Sequence, residues 1–306
     1  MHPNGPDAPP PRGGTALKLR TLLFAPGDSP RKIAKALAAG ADGTILDLED
    51  SVGPAGKVAA RDLVAAALAG LDRDDILIRI NARTTPWHLT DLAAAVKARP
   101  AAIVLPKCTG PADFSIPDHQ ISALEAAHGL PQGRIAILPL VTETAASIHG
   151  LDYRGVSSRL LALAFGAEDI AGDHGVAPRN RAGLFSAPVM QARAMTLLAA
   201  TAAGVPVIDT PFADPRDGAG LDREARAAAE DGFSGRFCIH PDQIDPVRRA
   251  FAPGPERIAW ARAVRDAFAA SPEAGVLTLD GRMIEAMHLR LAYKILAQAD
   301  AGGDPA

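Results

Sequence analysis

The sequence predicts an α/β protein built as a closed (β/α)8 TIM barrel with a C-terminal helical extension. Eight short apolar runs, each typical of a buried strand, alternate with helical stretches along the chain. Strict alternation implies a parallel sheet, and eight repeats favour closure into a barrel. The length of 306 residues is also within the range of such barrels.

The strand runs are bounded by glycine, proline or polar residues. We predict strands at 19–25, 44–48, 76–80, 102–105, 135–141, 160–165, 205–208 and 235–239. We predict helices between them at 31–39, 56–69, 86–98, 122–128, 144–151, 188–203 and 221–230. A long loop is expected at 170–187, and loops of that length are usually functional or disordered.

Three segments are expected along the chain. Residues 1–18 are rich in proline, glycine and polar residues, lack the apolar core of a signal peptide and predict a disordered tail. Residues 19–254 form the barrel, and residues 255–306 form the helical extension. That extension contains helical patterns at 256–270, which could supply the eighth barrel helix, and at 280–299, which can cover its own barrel or a neighbouring subunit's site.

Composition excludes several classes of function. The net charge of −3 argues against a nucleic-acid surface, and no stretch is long enough to span a membrane. Cys108 and Cys238 form no CxxC pair or metal-ligand spacing, which suits a reducing cytoplasm, and Cys108 is expected to be a buried, inert thiol. Motifs of serine hydrolases, NTPases, dinucleotide-binding proteins and zinc proteases are absent from the sequence.

Charged side chains cluster at the ends of the predicted strands, where barrels place their active sites. The second strand runs into Asp47, Glu49 and Asp50, and unpaired carboxylates of this kind are too costly for a core. The other strand ends carry Arg79, Lys107, Glu143, Asp169, Asp209 and His240. Such a set of carboxylates and cations fits a site for a small anion and a divalent metal such as Mg²⁺.

Most of these residues also have a purely structural interpretation, but Asp169 is less easily explained in that way because it comes directly after a buried strand. Asp47, Glu49 and Asp50 can cap the following helix, and Arg79 can be an ion-pair partner of Asp47 or Glu49. Glu143 can be a first-turn helix acid, Asp209 a turn residue and His240 a hydrogen-bonded loop histidine. The residues alone leave these alternatives open.

Longer segments of the chain resemble a known family. LLFAPGDSPRKIAKALAAGADGTILDLEDSV, IRIN, IVLPK, TETA, LALAFGAEDI, GVPVID, GFSGRFCIHPDQI and DGRMIEA occur in this order over residues 19–298. This order is similar to that of the citrate lyase β-subunit-like family, which includes malyl-CoA, β-methylmalyl-CoA and citramalyl-CoA lyases. The combination of LDLEDSV, GAEDI and CIHP is specific for the family but not for one member.

The resemblance implies a cytoplasmic, Mg²⁺-dependent carbon–carbon lyase that acts on a 3-hydroxyacyl-CoA and releases an acyl-CoA and a 2-keto acid. It implies that Glu143 and Asp169 bind the metal and that Arg79 holds the keto-acid oxygen. Asp47 and Glu49 correspond to acids that support metal-bound water and the arginine. The substrate-binding residues that the resemblance implies are Arg79, Glu143, Pro26, Gly27, Lys107 and His240, with Pro26-Gly27 and His240 on the side of the CoA chain.

The chain departs from the family pattern near its C-terminus. Where CoA lyases carry an aspartate in a Met-Ile-Asp motif, supplied from a neighbouring subunit as acid or base, this chain has Glu285. Glu285 is therefore either the acid that protonates the thioester enolate or a solvated helix residue. The other open alternatives are a citrate lyase β subunit that uses an acyl-carrier-protein thioester and a non-catalytic metal- and ligand-binding homologue.

A homo-oligomer, a trimer or a multiple of one, is expected from the relatives and from the apolar content of the C-terminal segment. The apolar positions beyond the eighth strand exceed the needs of one barrel helix, and they are Trp260, Phe268, Met287, Leu291 and Ile295.

Overall fold

A computed structural model describes residues 17–71 and 73–302 of the chain. Over these ranges the barrel strands are β1 Thr21–Pro26, β2 Gly43–Asp47, β3 Ile76–Arg79, β4 Ala102–Leu105, β5 Ala136–Thr142, β6 Leu163–Phe165, β7 Val207–Asp209 and β8 Gly235–Cys238. Each strand pairs in parallel with the next, and β8 also pairs with β1, so the sheet closes without an edge. The predicted (β/α)8 barrel is confirmed.

Helices surround this sheet. They are α1 Pro30–Leu37, α2 Lys57–Leu68, α3 His88–Lys97, α4 Ala112–Ala127, α5 Ala167–Asp173, α6 Ala187–Ala203, α7 Gly218–Asp231 and α8 Ile244–Phe251. Short 3₁₀ helices lie at Pro54–Gly56, Ala145–Gly150 and Pro241–Gln243. In the part of the chain that the structure describes, no helix is both long and apolar enough to cross a membrane.

A single apolar cluster fills the barrel interior and takes residues from all of its strands. It includes Leu22, Ile45, Leu77, Ile208 and Phe237, each 1% exposed or less. Because side chains alternate between the two faces of a strand, residues two positions after these point to the same interior, nearer the carboxyl end of the barrel. This parity places Asp47 and Arg79, which follow Ile45 and Leu77 by two positions, at the mouth.

The chain divides into two compact units between Val247 and Arg248. The second unit contains α9 Pro255–Ala270, an antiparallel hairpin of β9 Val276–Leu279 and β10 Arg282–Glu285, and α10 Ala286–Gly302. It has an apolar cluster of its own, with Phe268 and Ile295 buried and Trp260 packed against them. Met287 and Leu291 are exposed in this chain.

The predicted helix at 280–299 is wrong at its start, because residues 276–285 form the hairpin. Asp280 and Gly281 connect its strands with φ angles of 48° and 75°. An Asp-Gly pair with two positive φ angles makes the tight turn that matches the twist of a two-stranded ribbon. Before this turn, the Leu-Thr-Leu sequence at 277–279 alternates between apolar and polar residues, a pattern typical of a strand.

The helix predicted at 122–128 begins ten residues earlier, at Ala112 in α4. Pro117 favoured a late start, yet the helix continues through it. Phe114, Pro117 and Ile121 recur at helical spacing and are buried on one face, and this packing offsets the hydrogen bond that proline removes.

Other predictions differ from the structure in the type or the place of an element. The loop expected at 170–187 begins only after α5, whose first turn carries Glu168 and Asp169, and acids favour a helix N-terminus. The helix expected at 144–151 is the 3₁₀ helix Ala145–Gly150. The segment after β8 is α8, whereas α9 packs within the second unit.

The expected disordered tail falls, for residues 1–16, outside the described part of the chain. The boundary expected at residue 255 stays a prediction.

Candidate active site

Asp47 and Arg79 form a two-point ion pair across neighbouring strands at the barrel mouth. The two residues are paired in register at the ends of β2 and β3. Arg79 Nε and Nη2 donate to the two Asp47 carboxylate oxygens, both at 2.7 Å. Burial alone would raise the pKa of Asp47, but the charge and hydrogen bonds of Arg79 outweigh it and lower that pKa. The ion pair that the sequence left open as an alternative is therefore formed.

Glu49 links this pair to a second cation. Its Oε2 lies 3.1 Å from Arg79 Nη1, and its Oε1 accepts a hydrogen bond from Lys107 Nζ at 2.6 Å. Glu49 is only 4% exposed, and burial raises its pKa despite the charges of Arg79 and Lys107. Phe24 covers the guanidinium of Arg79, with 4.6 Å between its ring centroid and Cζ.

Lys107 connects these residues with the next strand ends. Its φ is 54°, in the left-handed region that few non-glycine residues adopt. Its main-chain N–H donates to Glu143 Oε2, while its ammonium lies 3.0 Å from Asp50 Oδ2 and 3.4 Å from Asp169 Oδ1. Asp50, which the sequence left as a possible cap, thus belongs to the same charged cluster.

Glu143 is buried at the end of β5 and is held tightly against β6. A Cβ added at Gly166 would lie 2.7 Å from Glu143 Cγ, so glycine is needed for this close approach. Burial, with the charges of Asp169 and Glu49, raises the pKa of Glu143 well above its usual value. Within the described residues, Glu143 Oε1 is buried and has no hydrogen-bond partner.

The predicted CoA-side residues have structural contacts of their own. Gly27 N–H donates to the carbonyl of Asp47 at 2.8 Å, and a Cβ at Gly27 would lie 2.7 Å from that oxygen. Pro26 is the last residue of β1. His240 Nδ1 accepts from the Asp242 main-chain N–H and caps the 3₁₀ helix. Their substrate-binding roles stay predictions.

Asp209 does not join the mouth, contrary to the sequence prediction. It directly follows the interior residue Ile208, so its side chain points to the opposite face of β7. There Arg193 of α6 donates to both of its oxygens at 3.1 Å, and Arg236 of β8 lies at 3.3 Å. This buried pairing belongs to the packing between the sheet and the helices.

Glu285 ends β10 in the second unit. It is half-buried, and its main-chain N–H donates to His288 Nδ1 at 3.0 Å. Its predicted role as an acid at an active-site mouth stays a prediction.

Lys57 supports the cluster and was missed from the sequence. Its ammonium donates to the carbonyls of Leu48 and Glu49 at 2.9 and 2.7 Å and lies 5.4 Å from the centroid of the Trp87 ring. Lys57 occupies the buried face of α2, where Ala60, Val64 and Leu68 recur at helical spacing. A lysine within an apolar helical stripe was the signal that could have identified it.

A divalent cation such as Mg²⁺ fits the residues at the ends of β5 and β6. Hard cations take carboxylate oxygens, and Glu143 offers a buried oxygen without a partner beside Asp169. No three His, Cys, Asp or Glu side chains of the described ranges converge as a full ligand set. Mg²⁺ commonly needs only one or two protein carboxylates, since waters and substrate complete its shell.

We expect Arg79→Met to be strongly destabilising, because it leaves Asp47 buried without its counter-charge. Breaking a buried ion pair costs about 3–5 kcal/mol, and each kcal/mol corresponds to roughly 2–4 °C in melting temperature. Arg154→Met is the matched control, since its partner Asp152 and Arg154 itself are 61% and 68% exposed. Thermal melts should show a large loss for Arg79→Met and almost none for the control. Equal melting temperatures would contradict a structural role for the pair.

We expect Glu143→Gln to raise the melting temperature of the metal-free protein at neutral pH. Because the folded-state pKa is raised, the unfolding free energy of the natural protein falls as pH rises from about 4.5 through that pKa. Glutamine removes this penalty, so the stabilisation should be absent at low pH and grow as pH rises. Melts in EDTA across this range measure it.

Glu125→Gln is the control of opposite sign. Burial would raise the pKa of Glu125, but hydrogen bonds from Arg159 and from the main chain lower it. The natural protein gains stability as pH rises through this lowered pKa, and the glutamine variant does not. The variant should therefore become less stable than the natural protein as pH rises toward neutrality. The same pH trend in both variants would refute the assignment for Glu143.

The chain matches the protein-family model described as HpcH/HpaI aldolase/citrate lyase over residues 20–241. It is 36% identical to the citrate lyase subunit beta-like protein of Mycobacterium tuberculosis over 90% of this chain and 94% of that protein. It is 32% identical to the L-malyl-CoA/beta-methylmalyl-CoA lyase of Cereibacter sphaeroides over 92% and 94% of the two chains.

Among solved structures, the chain is similar to the protein CitE from Mycobacterium tuberculosis in complex with magnesium, acetoacetate and coenzyme A. The TM-score is 0.76 and the identity 33%, over 94% of this chain and 100% of the other. The predicted family resemblance is confirmed: the chain belongs to the HpcH/HpaI aldolase/citrate lyase family, in which several of its relatives are named as lyases.

Proposed function

We propose that this protein is an Mg²⁺-dependent lyase that cleaves, or in reverse forms, the carbon–carbon bond of a 3-hydroxyacyl-CoA such as malyl-CoA or citramalyl-CoA. The products are an acyl-CoA and a 2-keto acid. The observation that carries the proposal is the buried, unpartnered Glu143 Oε1 beside Asp169, near the fixed guanidinium of Arg79. The relatives that act on malyl-CoA or bind magnesium and a keto acid support it.

Glu143 and Asp169 are the residues that would hold Mg²⁺. Bound there, the cation would act as a Lewis acid toward the oxygens of the keto acid. The close approach of Gly166 fixes the Glu143 carboxylate before ligand arrives, so little reorganisation is needed.

Arg79 would stabilise the oxygen of the keto acid. Its Nε and one Nη2 proton are used by Asp47, and Nη1 contacts Glu49, which holds the plane of the guanidinium in one orientation. A donor oriented in advance is worth more to a developing oxyanion than a mobile one. Asp47 and Glu49 therefore act mainly by positioning Arg79.

The proposed reaction is a cleavage of the retro-Claisen type. A base takes the proton of the substrate hydroxyl, the carbon–oxygen bond becomes a carbonyl and the adjacent carbon–carbon bond breaks. Its electron pair passes to the thioester as an enolate, which an acid then protonates at carbon. Pro26, Gly27 and His240 are the residues proposed to contact the CoA chain of the substrate. Lys107 is proposed to contact the keto-acid part of the substrate.

The test is a panel of CoA thioesters incubated with the purified chain and MgCl₂. Keto acid and free thiol are measured in parallel. Lyase action releases keto acid without free thiol, whereas thioester hydrolysis releases thiol without keto acid. Asp169→Asn should lower the lyase rate by about 10²-fold or more, and Asp62→Asn on the outer part of α2 should leave it unchanged.

Other outcomes would redirect the assignment. Activity only with an acyl-carrier-protein thioester would indicate a citrate lyase β subunit. Mg²⁺ and keto-acid binding without turnover on any thioester would indicate a non-catalytic homologue. Free thiol without keto acid would overturn carbon–carbon cleavage as the reaction with these substrates.

Glu285, acting at the barrel mouth of a neighbouring subunit, is the acid proposed to protonate the enolate. Glutamate and aspartate have similar ordinary pKa values, so the exchange alters reach rather than acidity. Glu285→Gln should abolish turnover but keep Mg²⁺ affinity and melting temperature, and Glu285→Asp should stay active. Glu273→Gln, a change at an exposed acid of the same unit, is the control. Turnover of Glu285→Gln at the natural rate would make Glu285 a bystander.

We also propose a homotrimer, or a multiple of one, as the assembly. The exposed Met287 and Leu291 on α10 support this proposal.

A further inference from the structure

Lys107 contacts both residues that are proposed to bind the metal. Its main-chain N–H donates to Glu143, and its ammonium lies 3.4 Å from Asp169. The left-handed backbone at Lys107 lets one residue make both contacts, since the amide points at β5 while the side chain turns into the mouth. A cation is thus already present next to the proposed metal ligands.

The three ammonium contacts are unequal. Lys107 Nζ lies 2.6 Å from Glu49, 3.0 Å from Asp50 and 3.4 Å from Asp169. Glu49 and Asp50 belong to the segment after β2, so they can keep the ammonium when Asp169 is withdrawn from it. The contact with Asp169 is the longest and the easiest to give up.

The charge of the cluster explains why a cation is needed there. Five carboxyl groups face two cations, Arg79 and Lys107, and Arg79 is occupied by Asp47 and Glu49. The carboxyl groups are Asp47, Glu49, Asp50, Glu143 and Asp169. Asp169 therefore depends on Lys107 for neutralisation among the described side chains that contact it.

We propose that Lys107 is an internal competitor of the divalent cation: its ammonium neutralises Asp169 in the metal-free protein and must leave Asp169 when the metal binds. This inference rests on the proposed function, since it takes Asp169 and Glu143 as the metal ligands. Lys107 stays on Glu49 and Asp50 in the metal-bound protein. Lys107 thereby sets the affinity for the metal without being one of its ligands.

The proposal predicts that neutralising Lys107 tightens Mg²⁺ binding. Removing the ammonium abolishes its repulsion of the incoming cation and the need to break its contact with Asp169. The gain expected is roughly 5- to 150-fold in affinity, the usual range for coupling between two sites. A lysine that merely arranged the carboxylates for the metal would give the opposite result, because its loss would weaken binding.

Isothermal titration of the full chain with MgCl₂ tests this. Lys107→Met and Lys107→Gln should both bind Mg²⁺ more tightly than the natural protein, and the glutamine variant keeps a donor for Glu49. Lys97→Met removes the same charge from an exposed site in the last turn of α3 and should bind like the natural protein. Unchanged or weaker binding in both Lys107 variants would overturn the proposal.

Thermal melts give a second readout that needs no substrate. In EDTA the Lys107 variants should melt below the natural protein, because Asp169, Asp50 and Glu49 then repel one another. The same excess of MgCl₂ should raise their melting temperature by more than that of the natural protein, since a ligand that binds only the folded state stabilises it by an amount that grows with the logarithm of its affinity. Equal shifts on Mg²⁺ addition would count against competition.

Asp169→Asn separates this inference from the proposed function. If Asp169→Asn loses Mg²⁺ binding while the Lys107 variants gain none, the competition is refuted and the metal site stands. If Asp169→Asn binds Mg²⁺ like the natural protein, the metal site is wrong and the competition falls with it. Loss of binding in Asp169→Asn together with a gain in both Lys107 variants supports both.

Discussion

The ion pair between Asp47 and Arg79 is the interaction on which the barrel mouth depends. Both side chains are largely buried, and neither charge could be kept there without the other. Because the pair spans β2 and β3 in register, it fixes the position of Glu49 two residues further along. Glu49 in turn holds Lys107, and Lys107 reaches Glu143 and Asp169. The charges of five strand ends are therefore one connected network rather than separate pairs.

Strand parity separates Asp47 and Arg79 of this network from Asp209, a charged residue that supports packing. Asp47 and Arg79 each follow an interior residue, Ile45 and Leu77, by two positions and so point into the barrel. Asp209 follows the interior Ile208 by one position and points to the helices, where Arg193 and Arg236 bind it. The count does not extend to Lys107 and Glu143, which follow the interior residues Val104 and Leu140 by three positions. Lys107 has a left-handed backbone, and the pairing of β5 with β6 shifts register between Leu140 and Thr142.

Much of the fold was predictable because apolar runs and their polar ends recur with the barrel period. The strand order and most site residues follow from that pattern and from the family resemblance. The contacts of Lys107 were not predictable, since they require a left-handed backbone at a residue that seldom adopts one. The role of Lys57 and the Asp280-Gly281 turn were encoded, by a lysine in an apolar stripe and by an Asp-Gly pair, but were not identified as such. Boundaries failed where packing outweighed a local rule, as at Pro117 in α4.

Two buried glutamates of the barrel differ in whether their carboxylate oxygens have hydrogen-bond partners. Glu125 and Glu143 are 0% and 1% exposed. Both oxygens of Glu125 accept hydrogen bonds from Arg159 and from the main chain, and its pKa is lowered. Glu143 has one oxygen bonded and one without a partner among the described residues, and its pKa is raised.

A carboxylate with a purely structural role would lower the free energy of unfolding less if both of its oxygens accepted hydrogen bonds, as those of Glu125 do. The unpartnered Oε1 of Glu143 lowers the stability of the metal-free protein. The close approach of Gly166 keeps the Glu143 side chain in this position. Such a cost is tolerated where a bound cation removes it, because ligand binding to the folded state returns the lost stability. The contrast with Glu125 therefore favours a cation site at Glu143 on energetic grounds that are independent of the family resemblance.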